Sequence, residues 1–289
     1  MPKMHMRRGG PELGEDFYAH TKESYDLLAP SYDADIGSNV VGQRMREAFR
    51  RVLARTFRPG SRVFEIGCGT GIDALWLARQ GIDVVATDIS YEMVEATASK
   101  ARAEGLSERV QCRRLAAKDI GMLEKEFGHG TFDGGFCHAG ALNMEPGLAS
   151  IPVAVRGLVP PGGAFVCSVI NKTSLFEVVF YSAILRPRKA YRRLGNVVPI
   201  PISRKPPLNT WVVSSRFFSP KDIVRLFGDG FRVESIQGLQ ILLPPSNLAD
   251  WYSLAHPVLV PLERLEDWVS IRRPLNGWGH HTLLTFRRI

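Results

Sequence analysis

Apolar positions fall into two rhythms along this chain. Short apolar runs, each closed by glycine, proline or a polar residue, read as buried strands. They are Val63-Phe64-Glu65-Ile66, Ile82-Asp83-Val84-Val85-Ala86-Thr87, Val110 to Leu115, Phe132 to Cys137, Ala164 to Ile170, Phe231 to Ile241 and His281 to Arg288. Other stretches carry apolar residues at helical spacing. Glu15 to Arg55 reads as helical, with Phe17, Tyr18, Tyr25, Leu27, Leu28 and Tyr32 at mixed spacing and Pro30 as a break. Gly42 to Phe57 is amphipathic, with Met45, Phe49, Val52 and Leu53 on one side and Arg44, Arg46, Arg50 and Arg51 mostly off it. Ala74 to Arg79 continues as helix from a glycine-rich stretch, and Ser90 caps a helix through Met93, Val94, Ala96 and Ala101 to Gly105. Strands alternating with helices predict an α/β protein built on a parallel sheet.

After Ile170 the alternation stops. Ser174 to Leu185 is an apolar helix that runs into Arg186-Pro187-Arg188-Lys189-Ala190-Tyr191-Arg192-Arg193. Pro199, Pro201, Pro206 and Pro207 punctuate a loop, and Trp211 to Phe218 reads as one more strand. Ser219-Pro220-Lys221-Asp222 starts a helix that ends at Gly228. Leu242 to Gly279, with Trp251, Tyr252, Trp268 and Trp278, is a second insertion.

The candidate chemistry lies where the first strand breaks into Gly67-Cys68-Gly69-Thr70-Gly71. Residues without a Cβ let the backbone turn sharply and approach a ligand closely. The following helix points its free N–H groups back at the loop. Asp88 closes the second strand on the same sheet edge, where a carboxylate can hold the vicinal hydroxyls of a ribose. The dinucleotide fingerprint spaces its glycines G-x-G-x-x-G, whereas here the spacing is G-x-G-x-G. Glu65, two residues before the first glycine, would repel a pyrophosphate but suits a ligand with a positive end.

This stretch resembles the first motif, E/D-x-G-x-G-x-G, of the class I S-adenosylmethionine (SAM)-dependent methyltransferases, and the resemblance is specific over Ser61 to Ile170. It implies a seven-stranded, mostly parallel, doubly wound Rossmann-like sheet, its last strand antiparallel at the edge, with an inserted helical lid. It also implies SAM as donor, S-adenosyl-L-homocysteine as product and no metal. Tyr25-Asp26-Leu27-Leu28-Ala29-Pro30-Ser31-Tyr32-Asp33 is similar to the Y-D-x-x-A-x-x-Y-D segment of small-molecule enzymes of the quinone-biosynthesis type, which folds over the donor. On this basis Tyr25, Tyr32, Glu65, Gly67, Cys68, Gly69, Gly71, Asp88, Ile89, Met93, Ala117, Lys118, Asp119 and His138 are the expected donor-binding residues. The family's usual D-A-x-D-L after the third strand is here Ala116-Ala117-Lys118-Asp119-Ile120, so the first acid is missing and Asp119 keeps the second. His138 ends the fourth strand, facing the expected methyl group; it is a candidate general base, or a holder of the methionine carboxylate, or a packing residue. Tyr32 and Glu145 are weaker catalytic candidates.

The division expected is a disordered tail over 1–14, a helical cap over 15–57, the SAM-binding core over 58–170, a lid with a basic patch over 171–217, a core continuation over 218–241, a second insertion over 242–279 packed on the lid, and the last strand over 280–289. Of 289 residues, 45% are hydrophobic and 23% charged, an ordinary globular balance. Cys68, Cys112, Cys137 and Cys167 stand singly and read as reduced core thiols of a cytoplasmic protein. The basic start lacks the apolar stretch of a signal peptide. Between Asn171 and Arg216 Lys172, Arg186, Arg188, Lys189, Arg192, Arg193, Arg204, Lys205 and Arg216 face one acid, Glu177, an excess equal to the +8 of the whole chain. An apolar helix beside cations suits a small, hydrophobic or lipid-like acceptor, or an anionic membrane surface on the inner face, or an ordinary solvated lid. An RNA methyltransferase, disfavoured because no N-P-P-Y-type motif or RNA-binding module is present, and a non-catalytic SAM-binding protein stay open as alternatives. His280-His281 is discounted as a metal pair because neighbouring strand residues point to opposite faces.

Overall fold

The computed structural model describes residues 15–195, 197–203 and 205–289, without the side chains of residues 15, 247, 250, 251 and 253–258. The tail expected over 1–14, Arg204 and the Trp251 side chain lie outside these. Two helices, α1 (Glu15–Gly37) and α2 (Val40–Thr56), precede β1 (Arg62–Ile66). Then come α3 (Ile72–Ala78), β2 (Asp83–Asp88), α4 (Tyr91–Ala103), β3 (Val110–Arg114), α5 (Met122–Phe127), β4 (Gly134–Cys137), α6 (Ser150–Leu158) and β5 (Ala164–Ile170). The remainder is α7 (Leu175–Ala183), α8 (Pro187–Ala190), β6 (Val198–Pro201), β7 (Val212–Ser215), α9 (Pro220–Phe227), β8 (Phe231–Leu239), α10 (Ala249–Val269) and β9 (His281–Arg288).

Seven strands form one sheet in the order β3-β2-β1-β4-β5-β9-β8. The first five are parallel, and β9 runs antiparallel to both neighbours. Contrary to expectation β9 is not at the edge: it slots between β5 and β8, where all but its last two residues are buried on both sides. The order reverses between β1 and β4, so a crevice opens outside the carboxyl ends of these strands. Alternation along β1 sends Phe64 and Ile66 into the apolar layer on one face and Val63 into the other, and Glu65 shares the side of Val63.

Pro30 does not break α1, which runs through it as one helix. Docking of α1 offsets the missing hydrogen bond: Phe17 and Leu28 are buried, and Asp26 accepts from Ser90 Oγ at 2.6 Å and from the Glu92 amide at 3.2 Å. In the first insertion, Trp211 to Phe218 contributes β7 to a separate hairpin with β6 and not to the main sheet. Pro199 and Pro201, expected in a loop, lie inside β6. Their alternate positions put both ring nitrogens on the free edge, where no ladder donor is needed. Tyr252 and Leu259 of α10 share an apolar cluster with Val41 of α2. The second insertion reaches the first through its later turn: Leu175 N donates to Trp278 O, and Asn171 Nδ2 to Gly277 O. No helix among the described residues is long and apolar enough to cross a membrane.

The first insertion is anchored by a buried ion cluster. Glu177, fully buried on α7, accepts from Arg193 Nε at 2.6 Å and from Arg192 Nη2 at 3.1 Å, and Arg193 Nη1 donates to Asn171 O at 2.8 Å. Of the expected surface cations Arg193 thus faces inward, while Arg192 stays exposed and reaches the same carboxylate from the surface. Glu177→Ala would leave the buried Arg193 guanidinium without its carboxylate, a loss of about 3–5 kcal/mol. Urea unfolding should register that loss, and amide exchange across α7 and α8 should accelerate.

Candidate functional site

The glycine loop takes the backbone its sequence allows. Gly67, Gly69 and Gly71 have φ of 72°, 54° and 78°, and a Cβ on Gly71 would lie 2.5 Å from Thr97 Cγ2. The loop is held by Asp88, whose carboxylate accepts from Gly69 N and Ser90 N, each at 2.9 Å. Burial raises the Asp88 carboxyl above its ordinary range despite these amides.

Around this loop a pocket is lined by Tyr25, Tyr32, Glu65, Gly67, Cys68, Gly69, Asp88, Ile89, Met93, Ala117 and His138, all expected from sequence. Gly71 stands behind the lining as the first cap of α3. Lys118 and Asp119 are outside it: Lys118 Nζ pairs with Asp119 at 2.9 Å on the surface. Glu145 lines the pocket, but its oxygens are engaged by Tyr18 OH at 2.5 Å, Gly147 N at 2.6 Å and Lys118 N at 3.1 Å. These bonds leave it a structural tie between α1 and the β3 loop. Tyr25 OH donates to Met144 Sδ at 3.1 Å, and burial pushes its phenol up.

Glu65 is the unusual group. It is 1% exposed, and its Oε2 has no hydrogen-bond partner. Burial, then the charge of Asp73, pushes its carboxyl well above the carboxylate range. Asp73, in the first turn of α3, is equally buried but takes Arg46, Arg50 Nε at 2.9 Å and His138 Nδ1 at 2.8 Å. Burial would raise Asp73; Arg46 and His138 outweigh it and hold the carboxyl below its usual range. His138 lies flat on Phe49, centroids 4.1 Å apart, with Nε2 unpartnered. Burial lowers its pKa against the pull of Asp73, so the ring is neutral near pH 7, with Nδ1–H donating and Nε2 bearing the lone pair.

Sequence reading missed Arg46 and Asp73. Among the described residues Arg46 is the single Arg or Lys in the pocket lining. The arginines of α2 were read as off the apolar face, which is right for Arg44 and Arg51. Arg46 and Arg50 are four apart, on one helical stripe that meets α3. The signal available was an acid in the first turn of the glycine-loop helix.

A second cavity of about 930 Å³ adjoins the pocket through Tyr32. Leu28, Ile36, Ile170, Ile200 and Phe217 supply apolar lining, with Arg192, Arg193 and Lys205 among the polar groups. His280 also reaches it. His280 and His281 are not on opposite faces as expected: His280 precedes β9, and the two rings meet at Nδ1–Nδ1 2.9 Å. Burial pushes His281 down to about 3. Among the described residues no group of three or more His, Cys, Asp or Glu is arranged to hold a metal.

Residues 63–163 match the family model for a methyltransferase domain. A methyltransferase domain thus occupies the core of this chain. Over 170 residues the chain is 29% identical to a demethylmenaquinone methyltransferase of Symbiobacterium thermophilum, covering 56% of this chain and 63% of that one. Over 124 residues it is 33% identical to a ubiquinone biosynthesis O-methyltransferase of Xanthomonas campestris pv. campestris, covering 42% and 48%. The chain thus spans about half the length of the curated relatives it matches, or somewhat more. The crystal structure of the [4+2]-cyclase SpnF shares the fold, with TM-score 0.64 and 17% identity over 97% of this chain and 99% of that one.

The methyltransferase domain's residues fit a zwitterionic sulfonium donor. The buried, unpartnered Glu65 oxygen can take a cationic amine, Arg46 a carboxylate and Asp88 a ribose, while the bare glycine loop admits close approach. The carboxyl of Glu65 has a raised folded value, so the fold favours its protonated form. Stability of the donor-free protein therefore falls as pH rises above the unfolded value, toward the folded one. Glu65→Gln removes that burden and should raise the melting temperature of the donor-free protein at pH 7, by about 1–3 kcal/mol of stability.

Proposed function

We propose that this protein transfers the methyl group of SAM to an O, N or C nucleophile of a small, hydrophobic, quinone- or lipid-like acceptor. The observation that carries the reading is the unpartnered carboxylate oxygen of Glu65 at the floor of the glycine-loop pocket. Leaving a polar atom buried without a partner is costly, and a cationic ligand removes the cost. The bound donor supplies an activated methyl on sulfur, and its leaving group becomes neutral. The protein's part is positioning in a dry pocket. Tyr32 stands between the donor pocket and the apolar cavity, which supports that cavity as the acceptor's place. The quinone-pathway enzymes matched over the core support the same class of acceptor. The fold alone cannot decide the reaction, since a cyclase shares it.

For a hydroxyl or acidic carbon acceptor, His138 Nε2 is the base. Asp73 holds the opposite nitrogen, and Phe49 fixes the ring plane. Proton transfer by such a group contributes about 10²–10⁴-fold. His138→Ala should lower turnover by that order while leaving SAM affinity within a few fold. Equal loss of both would make His138 a donor-binding residue instead. Asp73 favours the imidazolium, so Asp73→Asn should shift the acidic limb of the rate profile to lower pH as well as slowing turnover.

Calorimetry with SAM and S-adenosyl-L-homocysteine tests the donor. Uptake of SAM should weaken as pH falls, because a protonated Glu65 must release its proton to pair with the ligand's amine. The enthalpy should vary with the buffer's ionisation enthalpy, and Glu65→Gln should lose both effects. Radiolabelled SAM incubated with lipid, small-molecule and RNA fractions then identifies the acceptor. Label entering RNA alone, or no uptake of SAM, would remove the reading.

A further inference from the structure

The first insertion carries a face that the donor pocket does not use. On α7, Glu177 and Tyr181 lie four apart and are buried, so their stripe faces the protein. Val179 and Ala183 are offset by two residues, about 200° round the helix, and both are exposed, Val179 at 60%. From Ser182 to Lys189 every residue is exposed. Leu185 stands at the tip of this stretch, 87% exposed and with φ of 55°, a left-handed backbone that a non-glycine residue seldom adopts. Tyr191 and Leu194 follow at 54% and 60% exposure. That backbone closes α7, with Leu185 N donating to Ser182 O at 3.0 Å and Arg186 N to Tyr181 O at 2.8 Å, while the Leu185 side chain itself is left in solvent.

The same turn is uniformly cationic. Arg186, Arg188, Lys189 and Arg192 are all exposed. The one acid of the insertion, Glu177, lies on the buried stripe and is already neutralised by Arg192 and Arg193. Among the described residues Arg186 and Arg188 pair with no carboxylate, and Lys189 lies over the Tyr181 ring at 5.8 Å. A second copy meeting this face through a two-fold axis would set cations against cations. A nucleic acid would match the charge but leave Val179, Leu185 and Leu194 in water.

We propose that this face docks on an anionic lipid surface, with Leu185 and its apolar neighbours entering the headgroup boundary and the four cations meeting lipid phosphates. Arg192 belongs both to this face and to the lining of the larger cavity, so a docked protein holds that cavity beside the bilayer. The proposal stands whether or not the chain transfers a methyl group.

Co-sedimentation with phosphatidylcholine vesicles, and with vesicles enriched in phosphatidylglycerol, tests it. The protein is expected to partition onto the anionic vesicles only and to be released by salt at about 0.5 M. Replacing Arg186, Arg188 and Lys189 together by Gln should weaken partition about 100-fold, and Leu185→Asp at least ~10-fold. Unchanged thermal melting separates lost docking from lost folding. Leu185→Trp gives a readout that keeps the apolar tip: its emission should shift to the blue with anionic vesicles and not with neutral ones. Failure of the unaltered protein to bind anionic vesicles would overturn the proposal. So would undiminished binding by the charge and Leu185 variants, or self-association in light scattering that these variants abolish.

Discussion

Three carboxylates share one dry crevice, and the site depends on how unequally they are compensated. Asp73 has two guanidiniums and an imidazole, Asp88 has backbone amides, and one oxygen of Glu65 has nothing. A buried carboxylate without a partner is costly, so the fold carries a deficit at this point. Because β1 ends there and the sheet order reverses beside it, the deficit sits where a ligand can reach it. Two arginines of α2, Arg46 and Arg50, serve the acid that is spent on structure, and this leaves Glu65 at the floor of the crevice without a counter-ion.

The parts of this arrangement that were legible in sequence are those set by short-range rules. Glu65, the glycine spacing and Asp88 lie within one strand–loop–helix–strand unit, so local periodicity places them together. The parts that were not legible depend on packing between distant segments. Arg46 reaches Asp73 only because α2 crosses the start of α3, and Phe49 meets His138 by the same contact. Asp119 shows the opposite failure: its motif position placed it at the donor, but it lies outside the pocket lining and pairs with Lys118 on the surface.

The insertions mark the limit of pattern reading. Prolines in β6 look like loop residues until the free edge of a two-stranded hairpin excuses their missing donors. β9 reads as a closing strand whatever its place in the sheet, because its sequence pattern reports how buried it is and not which strands flank it. The pairing of buried Glu177 with buried Arg193, joined from the surface by Arg192, was hidden in a run of basic residues that, by composition alone, belonged in solvent.

α1 forms one side of the crevice, and most of what fastens it is polar. Asp26 grips Ser90, Asp33 meets Thr70 and Lys100, Tyr18 meets Glu145, and His20 meets the carbonyl of Val212 at 2.8 Å. Such fastenings can be exchanged for water one at a time, unlike an apolar seam that must part as a whole. The early turns of α1 lean on the hairpin of the first insertion and its later turns on the core around α4, so one wall of the crevice is shared between an insertion and the sheet domain.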